Sequence, residues 1–260
     1  LAIGVGCARG TDPDEIHELI RSTLEQAGLS SDAVAGLFSV HHKLDEPGLH
    51  EVAERLGVPC RFFSPERLEQ ERERLENPSA RVFAEVGCHG VAEGAALAAV
   101  GADGELRLAK HKTANATCAI GFASSPIDAA RLGQARGQLH VVGVGPGAME
   151  FRTPAASAAI GQADDVVGYS LYLDLVADVL VDQQQHRYAL GKETERVRDA
   201  IVLAASGRKV ALVCSGDAGI YAMASLVCEL LDASTEASWG RVRVEVVPGV
   251  SAMQLASGRA

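Results

Sequence analysis

Val141–Pro154, with the sequence VVGVGPGAMEFRTP, combines the signs of a strand, a glycine loop and a helix. A short apolar run ends in three glycines, Gly143, Gly145 and Gly147, and a threonine and a proline then begin a predicted helix. A strand that runs into a glycine loop and a helix exposes backbone at the carboxyl edge of a sheet, where α/β proteins bind ligands. The stretch therefore predicts an α/β fold with a ligand site at this loop.

Two later segments repeat this order. Lys209–Cys214 is a predicted strand that ends in Ser215–Tyr221 (SGDAGIY) and leads directly into a predicted apolar helix. Arg241–Val247 is another predicted strand, and a helix follows its terminal loop as well. Right-handed crossovers place the carboxyl ends of parallel strands at one edge of a sheet. The expected cleft is lined by Gly145–Gly147, Ser215–Asp217 and Pro248–Ala252.

A dinucleotide is the main alternative ligand for the first loop. Residues 143–148 fit Gly-x-Gly-x-x-Ala, and Asp164 and Asp165 follow about twenty residues after the loop. Pro146 lacks the amide hydrogen that a pyrophosphate needs. Asp164 and Asp165 lie at the beginning of the next predicted strand, whereas a ribose-binding acid lies at the end of that strand. No Gly-Lys-Ser/Thr follows, which excludes a Walker phosphate loop. These features favour a ligand without phosphates, to which Asp217 would offer its carboxylate unless it only caps the helix that follows.

Composition and charge limit the class of protein. Apolar residues make up 47% and charged residues 22% of the 260 positions, so the chain can form a sizeable core, as one large domain or two ordinary ones. The formal charge of −10, with neither half basic, argues against nucleic acid or an anionic membrane as the partner. No apolar run approaches the ~18 residues of a membrane span, and no signal peptide begins the chain, so we expect a cytoplasmic protein. The absence of an initial methionine and an end inside a helical pattern predict a fragment of a longer protein.

The first half alternates predicted strands and helices, which is typical of an α/β domain of its own. We place this domain at residues 1–128, a linker at 129–138 and a second α/β domain at 139–260. Within the first domain, Thr11 is the predicted cap of a helix that ends at Gly28. Residues 66–76 are predicted to be a helix with a solvated charged face, and residues 81–86 a strand.

Two polar clusters in this half could bind an ion. His41-His42-Lys43-x-x-Glu46 follows a predicted strand, but its spacing is no established zinc signature, so we expect a polar loop with a salt bridge and no metal. Residues 87–93 lead a glycine turn into a helix, near Lys110 and Lys112, and a helix start of this kind can hold an anion. A plain loop beside a solvated lysine edge is an equally good interpretation. The six cysteines lie far apart, mostly in apolar runs, and are predicted to be mainly buried reduced thiols.

The first half resembles a small cobalamin-biosynthesis domain, the CobE family. The resemblance is carried by Gly4–Thr11 (GVGCARGT), Lys43–Gly48 (KLDEPG), Gly87–Leu97 (GCHGVAEGAAL), Lys112 and Thr117–Ile120 (TCAI). The same domain forms the C-terminal part of the CbiG proteins, the cobalt-precorrin-5A hydrolases. The N-terminal portion of those hydrolases is absent here, so the resemblance does not imply hydrolase activity.

The second half resembles the tetrapyrrole methylases. The motifs are Val141–Gly147 with Thr153-Pro154, Val167–Leu175 (VGYSLYLDL), Ser215–Tyr221 and Val247–Ala252 (VPGVSA). Within that family they are most similar to the precorrin-3B C17-methyltransferases, known as CobJ. Residues 148–152 depart from the family pattern, so contacts there are expected to differ. The resemblance implies a fusion of a CobE-like α/β domain with the N-terminal α/β domain, mainly a parallel sheet, of a methylase.

This second resemblance implies the cofactor and the reaction. Methylases of this family bind S-adenosylmethionine between two α/β domains, and the chain stops near the end of the first, so it would carry half of the cofactor site. The implied reaction is methylation of C17 of precorrin-3B, coupled to contraction of the macrocycle. The implied cofactor-binding residues are Gly145, Pro146, Gly147, Ser215, Gly216, Asp217, Ile220, Ser251 and Ala252.

The substrate contacts are less specific. Tyr169, Tyr172 and Tyr221 would face the tetrapyrrole, although core packing is equally compatible with each tyrosine. The nearest candidates to bind substrate carboxylates are Arg152 and Lys192. A homodimer is also an open expectation. The alternatives are a methylase acting on another precorrin carbon and a non-catalytic tetrapyrrole-binding module formed by the first domain.

Overall fold

The computed structural model describes residues 1–258, and the chain divides into two compact units. The first unit covers residues 1–135 and the second begins at residue 136. The more detailed division into a domain at 1–128, a linker at 129–138 and a domain at 139–260 stays a prediction.

Five strands of the first unit lie within the described residues: β1 (Ala2–Cys7), β2 (Gly36–Val40), β3 (Cys60–Phe63), β4 (Glu105–Lys112) and β5 (Ala116–Phe122). They form one sheet in the order β3-β2-β1-β5-β4. The first three strands run parallel, whereas β5 is antiparallel to both β1 and β4. The unit is therefore an α/β domain with a mixed sheet.

The helices described in this unit are α1 (Pro13–Ala27), α2 (Pro47–Arg55), α3 (Pro65–Glu69), α4 (Ala80–Val86) and α5 (Val91–Val100). Asp12 caps α1, because its carboxylate accepts a backbone hydrogen bond from the first turn. The prediction of Thr11 as the cap is wrong, since its hydroxyl donates to the carbonyl of Ala8. Gly28 ends the helix as predicted, with a left-handed φ of 64° that glycine adopts without strain.

Helix α5 packs directly on the central strand because both surfaces carry small residues. A Cβ atom at Gly4 in β1 would lie 1.9 Å from the carbonyl oxygen of Ala92 in α5, so only glycine fits. Ala95 and Ala96 of the helix are fully buried. Its alanine-rich sequence thus permits a close helix–sheet contact, which places Glu93 inside the unit.

The predicted strand over residues 81–86 is wrong, because this segment lies in α4. Ser79 caps the helix by accepting a hydrogen bond from the backbone N–H of Val82. Val82 and Val86 stand four residues apart, which places them on one face of a helix. None of the residues of α4 is buried, so the segment does not show the alternation of buried and exposed residues that is typical of a strand.

The charged segment at residues 66–76 is not one solvated helix. Helix α3 ends at Glu69, and a separate short 3-10 helix follows it. Glu71 is buried and forms ion pairs of 2.6 Å with both Arg67 and Arg74. Part of this charge therefore stabilises the interior of the unit.

The strands described in the second unit are β6 (Gln138–Gly143), β7 (Asp165–Tyr169), β8 (Gln184–Tyr188), β9 (Lys209–Cys214) and β10 (Arg243–Val247). They form a sheet in the order β10-β6-β9-β7-β8, and all four pairings are parallel. The sequence did not predict β8. The α/β class with a parallel second sheet is confirmed.

The helices described in the second unit are α6 (Pro154–Gly161), α7 (Ser170–Asp174), α8 (Glu193–Ala205), α9 (Met223–Asp232) and α10 (Ala252–Ser257). Thr153 caps α6 as its Thr-Pro start predicts. Helix α7 is shorter than the predicted helix over residues 171–181, where a 3-10 turn replaces its second part. Within residues 1–258, no helix is both long enough and apolar enough to cross a membrane.

The six cysteines are all free thiols. Three are buried, two are half-buried and one, Cys228, is exposed. Half of the cysteines are therefore buried, fewer than predicted, and their reduced state stays a prediction.

Candidate functional site

Three loops meet at the carboxyl edge of the second sheet. Strand β6 lies between β10 and β9, so the loops that follow these three strands are neighbours. Gly145 and Gly216 exchange two backbone hydrogen bonds, of 3.1 and 2.8 Å, which join the loops after β6 and β9. The positive φ values of these two glycines, 80° and 66°, explain why the sequence places glycine at both positions.

The loop after β10 packs equally closely against the other two. A Cβ atom at Gly249 would lie 2.2 Å from the carbonyl oxygen of Gly216 and 2.5 Å from that of Gly143. A Cβ atom at Gly143 would meet the same Gly216 oxygen at 2.6 Å. Any side chain at these positions would push the loops apart, so the glycines fix the geometry of this edge.

Asp217 ties two of the loops together. Its Oδ1 accepts a hydrogen bond from the backbone N–H of Gly219 at 2.8 Å, and its Oδ2 accepts one from Gly249 at 3.0 Å. The suggestion that Asp217 caps the next helix is wrong, because α9 begins only at Met223. A carboxylate oxygen has more than one lone pair, so Asp217 retains acceptor capacity for a ligand.

The other residues predicted to bind the cofactor lie around this junction. Ser251 is buried, caps α10 in a capping box with Gln254, and has its Cα 3.8 Å from where a Cβ at Gly216 would be. Ala252, the next residue, and Ile220, in the loop after β9, are exposed. The remaining predicted residues, Pro146, Gly147 and Ser215, are half-buried in the same loops. The three loops therefore do come together, while the role of each residue toward a cofactor stays a prediction.

The structure gives no support to a dinucleotide at this edge. The N–H of Gly145 is already bonded to Gly216, and Pro146 has none to offer a phosphate. Asp165 lies at the opposite end of β7, fully buried, where it pairs with Arg208 and with His186. The acids near the loop thus have structural partners away from the glycines.

The three tyrosines surround a small pocket beside these loops. Tyr169 ends β7, and its ring meets that of Tyr172 edge to face with 5.1 Å between centroids. Tyr221 is fully exposed and has a positive φ of 49°. Among the described residues, it is the only one other than glycine with a positive φ. Together with Ser215 and Arg196 they line a pocket of about 130 Å³, which we call the tyrosine pocket.

Sequence reasoning missed Arg196. It lies in the first turn of α8, on the face whose later members are Val197, Ala200 and Ile201, and it is 3% exposed. An arginine within an otherwise apolar helical stripe is the signal that could have identified it. Burial of such a charge requires either a partner or a function.

Arg152 and Lys192 have other partners. The Arg152 side chain is 5% exposed, and its guanidinium forms a bidentate pair with Asp178. This pair lowers the pKa of the Asp178 carboxyl. Lys192 is exposed and pairs with Glu195 at 2.9 Å. The Arg152 donors are thus bonded within the unit, and its role toward substrate carboxylates stays a prediction.

The polar clusters of the first unit are also internally bonded. Lys43 and the fully buried Glu46 form an ion pair of 3.3 Å, as expected of a polar loop with a salt bridge. In the second cluster, the Glu93 carboxylate accepts backbone bonds from Glu76, Asn77 and Lys110 and a side-chain bond from Asn77. Burial raises the pKa of Glu93, but these bonds lower it more, and the net shift is downward. Within the described chain, no group of three or more potential metal ligands is assembled.

Comparisons with known proteins match each half separately. Residues 1–121 match the family model described as cobalamin synthesis G C-terminus, and residues 138–260 match that of the tetrapyrrole (corrin/porphyrin) methylases. Protein CobE of Sinorhizobium sp is 39% identical over 120 residues, which are 46% of this chain and 78% of that protein.

Two methyltransferases are similar to the chain at the same level. The precorrin-3B C(17)-methyltransferase of Sinorhizobium sp is 38% identical over 123 residues, 47% of this chain and 48% of that enzyme. The probable cobalt-factor III C(17)-methyltransferase of Salmonella typhimurium is 42% identical over 114 residues, 44% of this chain and 46% of that enzyme. The chain thus spans about half the length of these two methyltransferases.

Proposed function

The chain belongs to the family of the protein CobE and carries a tetrapyrrole methylase domain over residues 138–260. From this we propose that it catalyses a methylation step of cobalamin biosynthesis. The proposed reaction is transfer of a methyl group from S-adenosylmethionine to C17 of precorrin-3B, with contraction of the macrocycle. The relatives named as C(17)-methyltransferases support this choice of carbon. Because the chain covers half of their length, the complete site is proposed to need further protein.

The observation that carries the proposal is the junction of three loops at the carboxyl edge of the sheet. Gly145, Gly216 and Gly249 bring backbone to one place, and the Asp217 carboxylate holds two of the loops in register. In the loop after β6 the Gly145 N–H is already bonded and Pro146 has none, whereas the loop after β9 supplies the Asp217 carboxylate. This donor and acceptor set suits a ligand with an amino group and ribose hydroxyls, which S-adenosylmethionine has.

The chemistry asks little of the protein beyond alignment. S-adenosylmethionine supplies an already activated methyl group when bound, so no protein nucleophile is required. The loops would orient the donor toward a ring carbon held near the tyrosines, which is a proximity effect. Cys214 lies in the wall of the tyrosine pocket, and burial raises the pKa of its thiol to about 11. The thiol therefore stays protonated and does not compete for the methyl group.

Methyl transfer by the protein at its natural length tests this proposal. We expect S-adenosylhomocysteine and a singly methylated product when S-adenosylmethionine and precorrin-3B are supplied. The variant Gly249→Ala should lose most activity, since its Cβ would collide with the Gly216 carbonyl. The matched control Gly240→Ala should retain activity, because a Cβ there meets no atom within 4 Å.

The outcomes separate the proposal from its alternatives. A methyl group on another carbon, located by carbon-13 NMR, would favour a methylase of different regiospecificity. Tetrapyrrole binding without transfer would favour a binding module. Calorimetric binding of NAD in place of S-adenosylhomocysteine would overturn the choice of cofactor.

A further inference from the structure

Arg196 is a buried cation with most of its hydrogen-bonding capacity unused. Within the residues that the structure describes, its Nε and Nη1 atoms have no hydrogen-bond partner. Its Nη2 donates to the Met223 sulfur at 3.5 Å, and sulfur is a weak acceptor. The nearest carboxylate oxygen, on Glu193, is 3.7 Å from Nη2, beyond hydrogen-bond distance.

This arrangement is costly for a residue with a purely structural role. A buried guanidinium is normally balanced by a carboxylate or by several carbonyl oxygens, and without them its desolvation is uncompensated. The other arginines that enter the interior here, such as Arg152 and Arg67, do have close carboxylate partners. An apolar residue in this stripe of α8 would pack with no such penalty. The guanidinium has only one long ion pair, to Glu193, and two unbonded nitrogen atoms, which points to a further partner from outside the unit.

The size of the tyrosine pocket limits what that partner can be. Its volume is about 130 Å³. Sites for complete drug-sized ligands occupy about 300–1,000 Å³. A pocket of this size suits a side arm of a ligand, with Tyr169 and Tyr172 forming part of its walls.

The charges around the pocket favour an anionic arm. Arg196 and Glu193 supply the two formal charges among its lining residues. The Glu193 side chain is 37% exposed and also accepts a bond from the backbone of Gly191, so water and backbone screen its charge. Arg196 lies in the first turn of the 13-residue α8, where the helix dipole adds to its attraction for anions.

We propose that Arg196 binds a carboxylate of the bound ligand, inserted as a side arm into the tyrosine pocket. A planar guanidinium matches a carboxylate with paired hydrogen bonds. The inference rests on the proposed function, because a corrin precursor carries acetate and propionate arms and the cofactor carries one amino-acid carboxylate. These two sources share the same chemistry, and separate ligands distinguish them.

Binding measurements with the protein at its natural length test the assignment. The variants are Arg196→Met, which keeps length without charge, and Arg196→Lys, which keeps charge without the planar donor array. Arg198→Met is the matched control, since Arg198 is an exposed residue of the same helix. The probes are uroporphyrin III, S-adenosylhomocysteine and methylthioadenosine, which lacks the amino-acid carboxylate, and each dissociation constant is measured by calorimetry.

The expected result is a selective loss of affinity. Arg196→Met should weaken binding of one carboxylated probe about 10- to 100-fold, Arg196→Lys should weaken it less, and Arg198→Met should leave it unchanged. A loss confined to uroporphyrin III assigns the arm to the tetrapyrrole. A loss for S-adenosylhomocysteine but not for methylthioadenosine assigns it to the cofactor. Unchanged affinity for both carboxylated probes, or failure of the wild type to bind either, overturns the inference.

Thermal unfolding supplies a readout that a structural role would move in the opposite direction. If Arg196 only supported the fold, Arg196→Met would lower the melting temperature. We expect the melting temperature to be unchanged or higher, because an uncompensated buried charge is removed. A clear decrease that accompanies the loss of binding would overturn the inference. Absence of methyl transfer with the expected binding pattern would refute only the proposed function.

Discussion

Replacing Asp217 by asparagine removes one of the two hydrogen bonds that its side chain makes to the loops. The carboxylate accepts one bond from Gly219 and one from Gly249. Asparagine retains a single acceptor oxygen, so its amide nitrogen must face one of these two N–H groups. Asp217→Asn thus replaces an attractive contact with a repulsive one while hardly changing the shape of the side chain.

The magnitude follows from the exposure of the residue. A hydrogen bond to a charged acceptor contributes about 1.5–3 kcal/mol when it is buried. Asp217 is half-buried, so water partly replaces the lost partner, and we expect a local loss of about 1–2 kcal/mol. Since 1.4 kcal/mol corresponds to a factor of ten in affinity, S-adenosylhomocysteine should bind about 5- to 30-fold more weakly.

Calorimetry measures this affinity, and amide hydrogen exchange measures the two bonds directly. The N–H groups of Gly219 and Gly249 should exchange faster in Asp217→Asn than in the wild type. Asp182→Asn, a change at an exposed aspartate, is the control and should alter neither quantity. Unchanged affinity together with faster exchange would refute the idea that the loop alignment matters for binding.

Three further predictions concern other described residues. Glu93→Gln should lose about 3 kcal/mol in urea unfolding near neutral pH, because the carboxylate accepts several charged hydrogen bonds. Since the folded pKa of Glu93 is below the ordinary value of 4.5, this difference should shrink as the pH falls through that lowered pKa; a constant difference would contradict the assignment. Asp165→Asn breaks the ion pair between the buried Asp165 and the partly exposed Arg208 and should lower the free energy of unfolding by about 2 kcal/mol. A loss below about 0.5 kcal/mol would contradict a stabilising role for this pair. Under native conditions a thiol reagent should modify the exposed Cys228 and spare Cys118, because burial raises the pKa of the Cys118 thiol to about 12. Peptide mass spectrometry measures the order of modification, and faster labelling of Cys118 would contradict the prediction.

Much of the second sheet could be predicted because its central strands are nearly continuous apolar runs. Strands β7 and β9 occupy the predicted residues, as expected of parallel strands buried on both faces. Strand β8, with the sequence QQHRY, lies at the edge of the sheet and needs only one neighbour, so its residues carry no apolar signal. Tertiary pairing with β7, which the local sequence does not encode, makes it a strand.

The site was predictable in its backbone and not in its charges. The glycine spacing identified loops that the sheet order does bring together, because turn chemistry is local. The partners of charged side chains depend on distant segments. Arg152 binds Asp178, and Asp217 binds Gly249, contacts that no local pattern specifies. Arg196 was missed although its place in an apolar helical stripe is a local signal, whereas its lack of hydrogen-bond partners is visible only in the structure.

The position of β6 has a consequence for how the second unit folds during synthesis. Its neighbour β10 is made roughly a hundred residues later, and contacts so distant in sequence form slowly. Until β10 emerges from the ribosome, β6 can pair with β9 but keeps one open edge. The junction of Gly143, Gly216 and Gly249 therefore cannot form before β10 and the loop after it have been made. A chain caught before that moment would hold most of its core yet have no cleft.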